Sequence, residues 1–255
     1  MALSSLLQTQ KIPSLLLNQL FMIIFFLLSL PHANSVYFNL SSFQPNDSSI
    51  TFQGDAYVDL QGLQLTRNTQ SALLSYSAGR ALYSEQVRLW DNSTGWLADF
   101  TTHFSFIINA INAVPADGLT FFIAPFGSKM PNNSTGGAFG LLSSDDALND
   151  THNQIVAVEF DTFFDNLWEP SSDHVGIDVS SIISKANVTR NSSISNGSTA
   201  NTWISYNSTT KILSVFLTYA NNPVFSGNSS LSYIVDFVGT YVFHMLRTYV
   251  MILYN

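Results

Sequence analysis

The chain contains no cysteine, so no disulfide framework can hold it and its stability must come from a core. Charge is scarce. Charged residues make up 10% of the sequence, with 17 acidic side chains against 9 lysines and arginines. The basic residues never cluster, which removes the electrostatic footprint of a nucleic-acid-binding surface. No phosphate-cradling glycine loop and no Ser-His-Asp arrangement is visible, so no catalytic residue is assigned. Helical periodicity is missing beyond the N-terminal apolar run, which excludes an α-helical fold.

What is present is aromatic and polar. The 20 phenylalanines and 10 tyrosines alternate with many Ser, Thr and Asn residues. That mixture suits strands with aromatic inner faces and polar outer faces. Near the N-terminus, Leu15 to Leu30 is almost continuously apolar, with Lys11 upstream, Pro31 ending the run and Ala33-Asn-Ser35 offering small residues for cleavage. Residues 1–35 therefore read as a secretory signal peptide. Asn-x-Ser/Thr acceptors recur from Asn39 to Asn228, as expected of a glycoprotein surface. Together these place the chain outside the cell, secreted or at the cell surface.

Strand-like runs separated by turn residues follow the leader. They include Val36–Leu40, Ala56–Leu60, Ala81–Ser84, Val87–Trp90, Phe100–Ile108, Leu119–Ala124, Gln154–Phe160, Val175–Val179, Thr202–Tyr206, Lys211–Leu217 and Ser232–Asp236. With no composition break and no internal repeat, residues 36–236 read as one all-β sandwich domain.

The densest chemistry lies between Glu159 and His174. On a strand, alternate side chains share a face, so Glu159 and Asp161 point together while Val158 and Phe160 point away. Adjacent carboxylates repel unless a cation sits between them. Asp165 and Glu169 follow, and Pro170 lets the chain turn back toward His174. An oxygen-rich set suits calcium, and an added imidazole suits a transition metal beside it. An ordinary solvated acidic loop would carry similar residues.

These residues, in order and spacing, resemble the legume-type (L-type) lectins of plants. The resemblance runs from Val36-Tyr-Phe-Asn-Leu through Phe52-Gln-Gly-Asp-Ala56, Gly79-Arg-Ala-Leu-Tyr83 and Asp99-Phe-Thr-Thr-His-Phe-Ser-Phe106. It continues through Pro115-Ala-Asp-Gly-Leu-Thr-Phe-Phe-Ile-Ala-Pro125, Gly136-Gly-Ala-Phe-Gly140 and the acidic segment. Within the family it is most similar to the extracellular lectin domain of plant lectin receptor kinases, although no kinase sequence follows here. The resemblance implies a legume-lectin jelly-roll β-sandwich that binds carbohydrate without catalysis. It implies Mn2+ held by Glu159, Asp161, Glu169 and His174, and Ca2+ held by Asp161, the Phe163 carbonyl, Asp165 and Glu169. For sugar it implies Asp117 as acceptor, after an Ala116–Asp117 peptide that is cis in relatives. Gly137 would offer its N–H, Phe163 its ring face, and Asp165 the remaining polar contact. A homodimer is compatible with the family.

Two positions depart from the family pattern. Asp165 stands where relatives usually carry Asn, and Glu169 where they usually carry Asp. An ionised Asp accepts hydrogen bonds but cannot donate one to sugar, and losing a buried donor costs roughly 1–3 kcal/mol. Asn166 would restore an amide through a one-residue slip. After Asp236 the sequence no longer follows the family, and residues 237–255 read as a divergent apolar tail lacking the final strands. As a membrane span that tail would place Arg247 in the bilayer, at about 2.5–3.5 kcal/mol. Two other functions compete: a degenerate lectin fold that binds no sugar, and a retaining β-glucanase suggested by Glu159-x-Asp161-x-x-x-Asp165, which would need two carboxyls about 5–5.5 Å apart.

Overall fold

The computed structural model describes residues 14–28, 35–68, 75–91, 93–109, 116–163, 173–189, 194–221, 224–225, 229–238 and 248–252. Two compact units are separable, residues 1–39 and residues 40–255. The described residues of the first include the helix α1 (Ser14–Leu28), inside the expected leader. Among the described residues, no helix is long and apolar enough to cross a membrane.

The second unit is built from strands. In chain order they are β1 (Ile50–Gly54), β2 (Tyr57–Asp59), β3 (Gly62–Gln64), β4 (Gly79–Tyr83), β5 (Trp90–Asp91), β6 (Trp96–Leu97), β7 (Phe100–Phe106) and β8 (Gly118–Pro125). There follow β9 (Val156–Asp161), β10 (His174–Val179), β11 (Ala186–Thr189), β12 (Ala200–Asn207), β13 (Ile212–Thr218), β14 (Leu231–Ile234) and β15 (Thr248–Ile252). Among the described residues, one sheet has seven strands in the order β1-β4-β15-β8-β9-β10-β11, and a second has four in the order β14-β13-β12-β7. The pairs β2-β3 and β5-β6 are short hairpins. All pairings are antiparallel.

Phenylalanines join the two large sheets. Phe104 stacks on Phe121 at 6.2 Å, and Phe106 meets Phe160 at 4.8 Å. Phe121 and Phe160 are fully buried, together with Ile177, Ile204 and Leu213. On the seven-stranded sheet these residues alternate with Thr120, Glu159, Asp161, His174 and Asp178, which occupy the opposite face and are buried as well. That second face is roofed by the loops between β8 and β9, where Phe139, Leu141, Leu142 and Ala147 are buried.

Three strand expectations change. Val36–Leu40 forms no strand, and Val36 and Tyr37 are exposed. Their pattern suits a strand, but an extended segment becomes one only where a neighbour takes its backbone hydrogen bonds. Val87–Trp90 contributes only its last residue, in the β5-β6 hairpin. The tail, in contrast, supplies β15, which pairs with β4 at Leu82 and Ala81 and with β8 from Phe121 to Pro125. Thr248-Tyr-Val-Met-Ile is rich in strand-favouring residues, and β4 and β8 each need a partner on the side that faces it.

Candidate functional site

The site grows from the cross-strand register of β8, β9 and β10. Gly118 pairs with Asp161, and Asp161 pairs with His174 on its other side. Two positions back, Thr120 pairs with Glu159 and Glu159 with Gly176. The twofold pleat therefore stacks Glu159, Asp161 and His174 on one face. Their ligand atoms all lie within 4.8 Å of one another. His174 Nε2 is 3.1 Å from Glu159 Oε1, and both side chains are almost wholly shielded from water.

The surroundings explain the spacing. The Ser184 hydroxyl donates to Glu159 Oε1 and lies 2.9 Å from Asp178 Oδ1. A Cβ on Gly176 would fall 1.9 Å from Ser184 Oγ and 2.3 Å from Glu159 Oε1, so only glycine leaves room for this bridge. Burial first, and then the neighbouring Glu159, pushes the Asp178 carboxyl well above the usual carboxylate range. Asp178 Oδ2 and Thr120 Oγ1 are buried without a hydrogen-bond partner among the described residues. Glu159, Asp161 and Asp178 thus crowd one buried pocket, and among the described residues Glu159 and Asp178 form no ion pair with a Lys or Arg. A cation fits that donor set: two carboxylates and an imidazole match a borderline transition metal, and further oxygens nearby match calcium.

Asp161 also links the cluster to the neighbouring loops. Its Oδ1 accepts the Phe163 N–H at 2.6 Å. Thr162 donates to the Asp117 carbonyl from its amide at 2.9 Å and from its hydroxyl at 3.1 Å. The Ala116–Asp117 peptide is cis. Phe163 keeps 40% of its surface exposed, as a ring offered to a ligand would. Gly137 lies in a short 3-10 turn, Gly136–Ala138, closed by Phe139 in the left-handed conformation at φ 51°. Phe139 then dives under Gly118, where an added Cβ would meet its Cε1 at 3.1 Å. The turn and Asp117 are thereby brought to the same end of β8.

Glu159, Asp161, His174, Asp117, Gly137 and Phe163 are therefore all placed at one end of β8–β10. Asp165 and Glu169 lie outside the described residues. Asp178, Ser184 and Thr120 escaped the sequence reading, although continuing the alternation from His174 through Gly176 reaches Asp178. The geometry speaks against a glycosidase. Among the described residues Glu159 is 2% exposed and already engaged by His174 and Ser184, unlike a carboxylate presented to a substrate carbon. A separate depression of about 410 Å3 lies on the four-stranded sheet, lined by residues including Asp99, Thr101, Ser205 and Ser214, and holds no such cluster.

Comparison with known proteins agrees with this geometry. The legume lectin domain matches residues 35–244. Agglutinin-2 of Cladrastis kentukea is 46% identical over 239 residues, covering 91% of this chain and 81% of that protein. Lectin 7 of Medicago truncatula is 42% identical, covering 84% and 81%. Among solved structures, lectin UEA-II complexed with galactose matches with a TM-score of 0.75 and 38% identity over 87% of this chain and 90% of that one. A metal-free form of lectin I-B4 from Griffonia simplicifolia matches with a TM-score of 0.75 and 37% identity, over 86% and 96%. With this fold, this cis peptide and this cluster of buried ligands, the chain belongs to the legume lectin family.

Proposed function

We propose that the chain is a secreted or cell-surface glycoprotein, non-catalytic, that reads carbohydrate through a shallow site organised by Ca2+ and Mn2+. The observation that carries this reading is the buried triad Glu159, Asp161 and His174, joined through Asp161 to Asp117 and Phe163. Glu159, Asp161 and His174 would hold the transition metal. Asp161 and the Phe163 carbonyl would serve calcium, with Asp165 and Glu169 completing both sets. Bound ions supply fixed positive charge that keeps the carboxylates ionised and together.

The protein's own groups meet the sugar. Asp117 accepts from sugar hydroxyls, the Gly137 N–H approaches where no side chain intervenes, and the Phe163 ring covers an apolar sugar face. Asp161 transmits order from ion to sugar. Its side chain fixes the Phe163 amide, and its backbone pairs with the residue after Asp117.

The test compares the parent with Asp161→Ala on immobilised glycans in Ca2+ and Mn2+, with metal content measured in parallel. The parent is expected to retain both ions and bind a subset of glycans. The variant is expected to lose metal and to bind more than ~100-fold more weakly, beyond the 10–100-fold usual for a residue one step removed from the ion. Folded, metal-loaded parent that binds no glycan would show a degenerate lectin.

A further inference from the structure

The segment between Ser128 and Leu141 carries the Gly136–Gly137 turn, and neither of its feet is held by strand pairing. Two side chains hold it instead. At one foot, Gln53 donates from Nε2 to the Ser128 carbonyl at 3.2 Å and accepts the Met130 N–H at 2.8 Å on Oε1. At the other foot, Arg80 donates from Nε to the Gly140 carbonyl at 2.7 Å and from Nη2 to the Leu141 carbonyl at 3.0 Å. Gln53 and Arg80 are direct cross-strand partners in the β1-β4 pair, so they share one face of the seven-stranded sheet.

Arg80 is an unusual choice for a purely structural tie. It is 2% exposed and forms no ion pair among the described residues. Its guanidinium sits 5.0 Å over the Phe122 ring, and burial pulls its pKa down to about 10. A charge buried without a carboxylate is costly unless its donors are used, and here they are spent on two successive carbonyls just beyond the turn. Between the feet the segment closes on itself: Gly140 N donates to Ser134 O, and Phe139 N to Gly136 O. Fixing Gly140 and Leu141 therefore fixes Gly137 relative to β8 and Asp117.

We propose that Gln53 and Arg80 form a clamp that positions the Gly136–Gly137 turn over the sugar site, with Arg80 as its main positioning residue. The functional half of this inference rests on the carbohydrate reading above; the mechanical half does not. The test uses the parent, Arg80→Met and Arg80→Lys, each assayed for amide hydrogen exchange, bound Ca2+ and Mn2+, and glycan binding. Arg80→Met is expected to raise exchange across residues 134–142 by about tenfold or more while β9 and β10 stay protected. Glycan binding should weaken by a similar factor with metal content unchanged. Arg80→Lys should fall between, since an ammonium reaches one carbonyl where the guanidinium fork reaches two. Loop exchange equal to the parent, or a rise shared equally by β9 and β10, would overturn the clamp. A loosened loop with unchanged glycan binding would overturn its role in recognition. If Arg80→Met does not fold, Arg80→Lys decides by the same criteria. If the parent binds no glycan, the carbohydrate reading falls and the exchange arm still judges the clamp.

Discussion

The two large sheets are both antiparallel, yet they treat polar residues in opposite ways. On β13 burial alternates, with Leu213, Val215 and Leu217 inward and Ser214, Phe216 and Thr218 half-buried on the outer side. On β9 and β10 every residue is buried. A polar group on the outer row of β13 meets water and costs little. One on the seven-stranded sheet must find a partner inside the protein. That requirement converts Glu159, Asp161, His174 and Arg80 from surface decoration into machinery. The same roof of loops that dries the second face of the seven-stranded sheet also concentrates its charge.

The comparison can be broken by truncating one aromatic on each sheet. Phe160→Ala removes a fully buried ring that touches Phe104 and Phe106, and should cost about 3–5 kcal/mol by denaturant unfolding. Phe216→Ala removes a half-buried ring on the outer row and should cost about 1–2 kcal/mol. Equal losses would mean that the outer row is buried in solution.

A smaller effect sharpens the electrostatic side. The Asp178 carboxyl is held well above its ordinary range by burial and by Glu159. Below about pH 4 the folded and unfolded chains both carry its proton. As pH rises, the unfolded chain ionises first, so stability falls until the folded carboxyl ionises too. Chelator-treated parent should therefore lose stability as pH climbs from about 4 toward neutrality. Asp178→Asn should flatten that slope and be the more stable protein at pH 7, as read by thermal melting. A steeper slope in the variant would contradict the assignment.

The smallest effect lies on the four-stranded sheet. His103 stacks on Trp203 at 4.1 Å, and partial burial lowers its pKa despite a hydrogen bond to Asn201. Its contribution is present above about pH 6.5 and is lost as pH falls through the folded value. His103→Gln should remove that acid-side loss, by melting between pH 5 and 8. An unchanged profile would place the titration elsewhere.

The sequence exposed the site where the site is local. Glu159 and Asp161 follow a two-residue period that strand geometry enforces, and His174 falls opposite Asp161 because β9 and β10 pair in that register. Arg80 was visible only as part of a family motif, since its role depends on Gly140 and Leu141 far along the chain. Strand partners were the least legible feature. Val36–Leu40 carries a good strand pattern without a strand, whereas Thr248–Ile252, beyond the matched residues 35–244, pairs on both sides. Pairing is decided by what the neighbour lacks, and that information lies elsewhere in the chain.

The position of β15 has a consequence for biogenesis. Leu82 on β4 and Phe122 on β8 are separated by Met251 on β15, so strands made early cannot be joined until one made much later arrives. Until residue 252 has been synthesised, two apolar strand edges wait uncovered, which makes the nascent chain slow to close and dependent on protection from its own kind.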